Sequence, residues 1–245
     1  MDESSKLVEV VLRISGNWAH PKELVVRMPA GFRLTPEALV MPDGTAIGFN
    51  PMPPDEQFAQ IFRSSCRRPP TKQELAKVDS YTVNIGLTGP GGSLDAARKM
   101  IEAGAAIVRV GGAGVFNDNS GLAHGASMWL QMAEDGSSDA VSFAFVAIIR
   151  GETEAWTMGM HVLGLRDVVM QRIDIEEHGF DIVEVIRYLA RGDKPIDDGH
   201  VIADETGPRF QVFAADSLPR TADSPMDNPF GRMKLVSIND IAGQN

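Results

Sequence analysis

The chain has 245 residues, a formal net charge of −10, 43% apolar residues and 23% charged residues. That is ample for a real core in one large domain or two small ones, and the acidic balance argues against general nucleic-acid binding and against adsorption to an anionic membrane, both of which need basic surface. The single cysteine, Cys66, excludes an intrachain disulfide and a cysteine zinc site; no run approaches the ~20 apolar residues of a membrane helix, MDESSKLVEV lacks a basic-then-apolar leader, and a cytoplasmic protein is expected.

In chain order, Leu7 to Ile14 (LVEVVLRI) reads as a strand, and a short helix follows around Pro21 to Val26. Asp43-Gly44 lies between two apolar runs, a hairpin signal. In NPMPPDEQFAQIF, prolines and acids precede an apolar series at Phe58, Ile61 and Phe62, the pattern of a helix start. Ser64 to Lys72 reads as a loop and Lys72 to Val78 as a short helix. A strand, a glycine-rich turn, a helix with Leu94, Ala97 and Ile101 on one face, and a second strand occupy the stretch up to Gly114.

That glycine-rich turn, GLTGPGGSLD, misses three motifs by one residue each. A dinucleotide fingerprint places its third glycine where Leu94 stands, a phosphate loop needs lysine where Gly92 stands, and a nucleophile elbow fails at Asp95. The turn is therefore read structurally, with Ser93 as N-cap and Asp95 in the first turn. Bare amides at a helix N-terminus retain the capacity to hold an anion.

Beyond it the sequence predicts a strand near Val115, a polar turn from Asn117 to Gly121, a helix from about Leu122 to Met132, and strands at Val141–Ile149, Thr153–Met158 and Val168–Ile173. The clearest helix is Ile182 to Ala190. It has an apolar stripe, Asp181 and Glu184 spaced as in a capping box, and Gly192 at its stop. Phe210 to Ala214 is a further strand, and Met233 to Ile238 is a candidate late strand within the region after Ser217. Strands and helices mix without regular alternation. This favours an α+β fold with a mixed, largely antiparallel sheet, helices packed on it and split βαβ (ferredoxin-like) units as one arrangement. The expected organisation is an N-terminal strand, hairpin and helix region (1–80), a main α+β domain (81–216) and a C-terminal tail (217–245).

GVFNDNSGLAHGASMWLQM, TMGMHVLGLRDVVM and DDGHVI together resemble a group of bacterial proteins of unknown function, nearest to domain of unknown function 4261, over roughly residues 81–213. The positions that carry the resemblance are Thr157, Gly159, Gly164, Asp167, Asp198 and Gly199. It implies a mixed α/β fold in a soluble bacterial protein and implies no catalytic residues.

No local histidine pattern matches a metal signature, so no metal or cofactor is expected; a site assembled from distant segments would draw on Asp118, His124 and His161. The run Asn117, Asp118, Asn119, Ser120 is built of turn-forming residues. It also sits after an apolar strand and before a tryptophan-bearing helix, where polar groups converge on a pocket. A hypothetical pocket would combine Asn117, Asp118, Asn119, Ser120 and His124 with Trp156, Thr157 and His161. DKPIDDGH, with Asp193, Asp197 and Asp198, reads as a solvated loop. Arg63, Arg67 and Arg68 around Cys66 read as a basic patch for an acidic partner. The expected function is a non-enzymatic binding or interaction protein, immunity-like, with an unknown protein or small-molecule partner and no nucleic acid or membrane. The alternative is a hydrolase or transferase with a dispersed site at Asp118, His124 and His161.

Overall fold

The computed structural model describes residues 8–176, 181–192, 196–203, 209–215 and 224–238. In chain order they form β1 (Glu9–Gly16), α1 (Pro21–Arg27), β2 (Arg33–Leu34), β3 (Ala38–Val40), β4 (Ala46–Met52), α2 (Phe58–Ser65), α3 (Lys72–Asp79), β5 (Val83–Pro90), α4 (Leu94–Arg109), β6 (Gly112–Asn117), β7 (Leu122–Gly125), α5 (Ala126–Asp135) and α6 (Ser138–Phe145). There follow β8 (Ala147–Arg150), β9 (Glu154–Met158), a 3₁₀ turn (Met160–Leu163), β10 (Asp167–Gln171), α7 (Arg172–Glu176), α8 (Ile182–Arg191), β11 (Val201–Ala203), β12 (Arg209–Ala215) and β13 (Arg232–Ser237). The fold is α+β, with two mostly antiparallel sheets.

The first sheet has the order β2-β3-β4-β5-β1-β6-β7. β1 lies between β5 and β6 and is antiparallel to both. β5 and β6 therefore run parallel, joined by α4 across an intervening strand, which is a split βαβ unit. Period-two alternation gives β1 two different faces. Val10, Leu12 and Ile14 enter the main core, together with Ile85, Leu87 and the buried side of α4. The opposite face carries Arg13 and Ser15 and is partly covered by α2 and α3 through a smaller cluster around Phe58, Phe62, Tyr81 and Phe116.

The second sheet has the order β11-β12-β13-β10-β9-β8, with β10 and β13 parallel. Its inner residues Val168, Met170, Val212 and Leu235 belong to the same buried cluster as the first sheet, α4, α6 and α8. The loop between β9 and β10 fastens the two sheets together. Gly159 and Gly164 take φ of +100° and +80° at the two ends of the 3₁₀ turn, a conformation that costs glycine little. The Val162 carbonyl then accepts from the Gly92 N–H in the glycine-rich turn at 3.0 Å.

Three sequence expectations need correction. Residues 138–145 are helical, and the strand read at Val141–Ile149 is only β8. Most of the segment is buried, so its apolar residues show no clear helical period, and the helix-start signals are the Ser137 hydroxyl, which accepts from the Ala140 N–H, and Asp139 in the first turn. The helix read from Leu122 starts at Ala126, because Leu122–Gly125 pairs with β6 as β7. Asp181 caps α8 by accepting from the Val183 N–H, whereas Glu184 pairs with Arg187 and closes no capping box. The complete capping box lies in α3, between Thr71 and Glu74.

Candidate functional site

The polar turn after β6 is buried and its groups are bonded to protein. Asn117 Nδ2 donates to Ser120 Oγ at 2.8 Å and to the Phe145 carbonyl at 3.4 Å, while its Oδ1 accepts from the Asn119 N–H. Asn119 holds the edge of β1 through Val11 N–H and the Glu9 carbonyl. It also donates to the Pro225 carbonyl at 3.0 Å. His161 Nε2 lies 3.0 Å from the same carbonyl and 3.3 Å from Asn119 Nδ2. A carbonyl only accepts, so Nε2 carries the proton and two donors share Pro225. Four of the nominated residues, Asn117, Asn119, Ser120 and His161, thus meet in a tie between β1, the β9–β10 loop and residue 225.

The other four go elsewhere. His124 is 2% exposed, packs against Trp129 and Phe143, and donates from Nε2 to the Ala144 carbonyl at 3.1 Å. Burial pushes its pKa down to about 4, partly offset by the Ala144 bond and reinforced by nearby Arg67. Thr157 faces inward, donating to Asp167 Oδ1 and accepting from the Val168 N–H. Trp156 points to the opposite face of β9, as the neighbour of an inward residue must, and lies alongside Gly151. It does not join the others. Asp118 turns away from the tie and receives Arg13 Nε at 2.8 Å. Burial raises the Asp118 pKa, and the Arg13 guanidinium opposes that rise.

Asp118, His124 and His161 therefore bond to three different partners. Among the described residues no group of three His, Cys, Asp or Glu side chains is placed to hold a metal ion. Of the arginines near Cys66, Arg68 is exposed and stacks 5.3 Å from the Phe143 ring centroid, while the other two are engaged by protein groups. Arg67 is half-buried and donates to the carbonyls of Phe143 and Val146, and its guanidinium stacks 4.7 Å from the Phe143 ring centroid. Arg63 pairs with Asp79. The Cys66 thiol donates to the Phe62 carbonyl, and burial raises its pKa to about 11, the reverse of an activated thiol. Asp197 pairs with Arg166 and Asp198 accepts from the Ala214 N–H; Asp193 lies outside the described residues.

Arg13 leads to a site that the sequence reading passed over. An open cleft of about 640 Å³ lies on the second face of the first sheet, with Arg13 and Asn84 on the strands and Met52 to Gln57 as its wall. Its volume falls in the range of small-ligand sites. The wall is held in place: Tyr81 Oη accepts from the Asp55 N–H and donates to the Asp55 carbonyl, and Asp55 Oδ1 accepts from the Gln57 N–H. Asn84 is 3% exposed, and its Oδ1 has no hydrogen-bond partner among the described residues. Ser15, opposite Asn84 in the β1–β5 register, is fully buried with its hydroxyl equally unpartnered. Arg13 spends Nε on Asp118, sits 6.0 Å from the Phe116 ring centroid, and keeps its terminal nitrogens without a partner among the described residues.

Sequence reasoning missed this cleft because its polar residues hide within apolar strands. The available signal was Asn84 within VNIGL, since asparagine is depleted in strands. Comparison with family models, curated proteins and solved structures finds no match.

Proposed function

We propose that this chain is a non-enzymatic binding or interaction protein, immunity-like in character, whose ligand surface is the Arg13–Asn84 cleft. One observation carries the reading: Asn84, whose buried carboxamide oxygen has no partner among the described residues, lines an open cleft beside a half-exposed guanidinium. Leaving a buried acceptor unsatisfied costs about 1–3 kcal/mol, and a ligand donor removes that cost. Asp118 serves the site indirectly, by holding Arg13 from behind. A cytoplasmic location is part of the proposal. So is kinship with domain of unknown function 4261, supported by the Thr157, Gly159, Gly164 and Asp167 pattern that shapes one loop.

The test is a thermal-shift screen of polar small molecules against the wild type and Asn84→Leu. Compounds that raise the melting temperature of the first and not the second are expected, since a ligand of the folded state stabilises by mass action. Turnover of an ester, amide or phosphoryl substrate that disappears in His124→Gln and survives in Asn84→Leu would overturn the reading in favour of a dispersed enzyme site.

A further inference from the structure

We propose that the cleft takes a short zwitterionic peptide, a di- or tripeptide with a free ammonium group, at least one internal amide and a free carboxylate. The inference rests on the cleft being a binding site and adds the class of its ligand.

Each part of such a molecule has a counterpart among the lining groups. The guanidinium of Arg13 is tethered at Nε by Asp118, which leaves the terminal nitrogens as a fixed fork. Such a fork matches a carboxylate bidentately. Asn84 lines the cleft with its buried Oδ1 unpartnered among the described residues, and a turn of the carboxamide towards the cleft gives that acceptor an amide N–H to complete it. Asp55 and Glu56 put two exposed carboxylates on the wall. They disfavour a simple anion and suit an ammonium group. Met52, Pro53 and Pro54 provide apolar surface between these polar groups, which gives a peptide side chain something to cover.

Charge separates this class from its neighbours. An inorganic anion or a phosphorylated metabolite would satisfy Arg13 and meet repulsion from Asp55 and Glu56. A polyamine would satisfy the acids and meet repulsion from Arg13. A zwitterion with a central amide matches both signs and the carboxamide at once. The wall is also fixed before any ligand arrives, because Tyr81 holds both backbone polar groups of Asp55. A pre-formed site avoids the ordering cost that weakens flexible ones.

The experiment is isothermal titration calorimetry with leucylglycine, N-acetylglycine and leucinamide as probes, on the full chain and on Asn84→Leu and Arg13→Met. Saturable binding of leucylglycine is expected. Binding should be about tenfold or more weaker for N-acetylglycine, which lacks the ammonium group, and for leucinamide, which lacks the carboxylate. Both substitutions should weaken leucylglycine by about tenfold or more. Asn84→Leu should do so while raising thermal stability, because it removes an unsatisfied buried polar group, so loss of binding cannot be blamed on unfolding. Leucylglycine that fails to bind, or binds Asn84→Leu as tightly as wild type, overturns the peptide class. If a screen compound of another class loses its binding in Asn84→Leu, the cleft stands and only the peptide falls. If no compound distinguishes Asn84→Leu from wild type and that variant loses stability, the cleft itself falls.

Discussion

Ser127 gives both its backbone N–H and its hydroxyl to one oxygen of Glu74, at 2.7 and 2.8 Å. The other oxygen accepts from the N–H and hydroxyl of Thr71. One carboxylate thus caps the N-termini of α3 and α5 together. Burial works against the charge of Glu74, but the four hydrogen bonds outweigh it and hold the pKa below the ordinary value of 4.5. A lowered acid pKa contributes stability that is complete above the unfolded value and lost as pH falls through the folded one. Glu74→Gln is expected to cost about 2 kcal/mol at pH 7, with a smaller gap to wild type below pH 4. Urea unfolding at both pH values measures this, and a gap independent of pH would refute the role of the charge.

His124 has the opposite chemistry and the same sign. Its folded pKa of about 4 lies below the ordinary 6.5. Between those values the unfolded chain binds a proton that the native chain does not, so stability falls as pH drops from 7 towards 4. His124→Gln keeps a donor for the Ala144 carbonyl and removes the titration. It should be the less stable protein at pH 7, and its deficit should shrink by about 1–2 kcal/mol at pH 5. Denaturant midpoints at the two pH values decide the matter.

At Gly159 a Cβ would stand 2.2 Å from the Phe145 carbonyl oxygen, with φ at +100°. Backbone on one side and an unfavourable dihedral on the other leave no cheap relaxation. Gly159→Ala should lose more than about 2 kcal/mol. Unchanged thermal stability would contradict the close approach.

The glycine-rich turn should not bind nucleotides. Two of its amides are engaged, Gly91 N–H with the Val8 carbonyl and Gly92 N–H with the Val162 carbonyl, and Ser93 caps the Ala96 N–H. NAD, ATP and GTP at millimolar concentration are expected to leave the melting temperature unchanged. A rise would mean that the turn releases the β9–β10 loop to accept phosphate.

Local signals carried much of the fold. Asp43-Gly44 makes its hairpin, with Gly44 at φ +87°, and α8 begins at Asp181 and stops at Gly192 as its caps require. Failures occurred where burial erased the pattern. α6 buries five of its eight residues, Ser142 among them, which leaves only a short polar stripe of Ser138, Asp139 and Ser142 to mark its period, and β7 is four buried residues between a polar turn and a helix. For the site, convergence of Asn117, Asn119, Ser120 and His161 was legible as a polar cluster, but not its use as a tie. Nothing local to Asn119 announces that its partners are Glu9 and Pro225, residues more than a hundred positions away. Arg13 and Asn84 were invisible for the same reason. They become neighbours of one cleft only when β1 enters between β5 and β6.

That insertion governs the order of assembly. β1 precedes every other described strand along the chain and is an interior strand of its sheet, and β4 reaches it only through β5. An emerging chain that ends at residue 80 holds β1 and β4 with no strand to join them. β1 must wait until residue 117 has been synthesised before both its edges are paired. Such distant pairing slows folding and leaves an apolar strand, VVLRI, open to wrong partners in the interval. Removal of β1 would split the sheet into an unconnected four-strand piece and two-strand piece rather than trim its edge, and the cleft, which draws Arg13 from β1 and Asn84 from β5, would vanish with it.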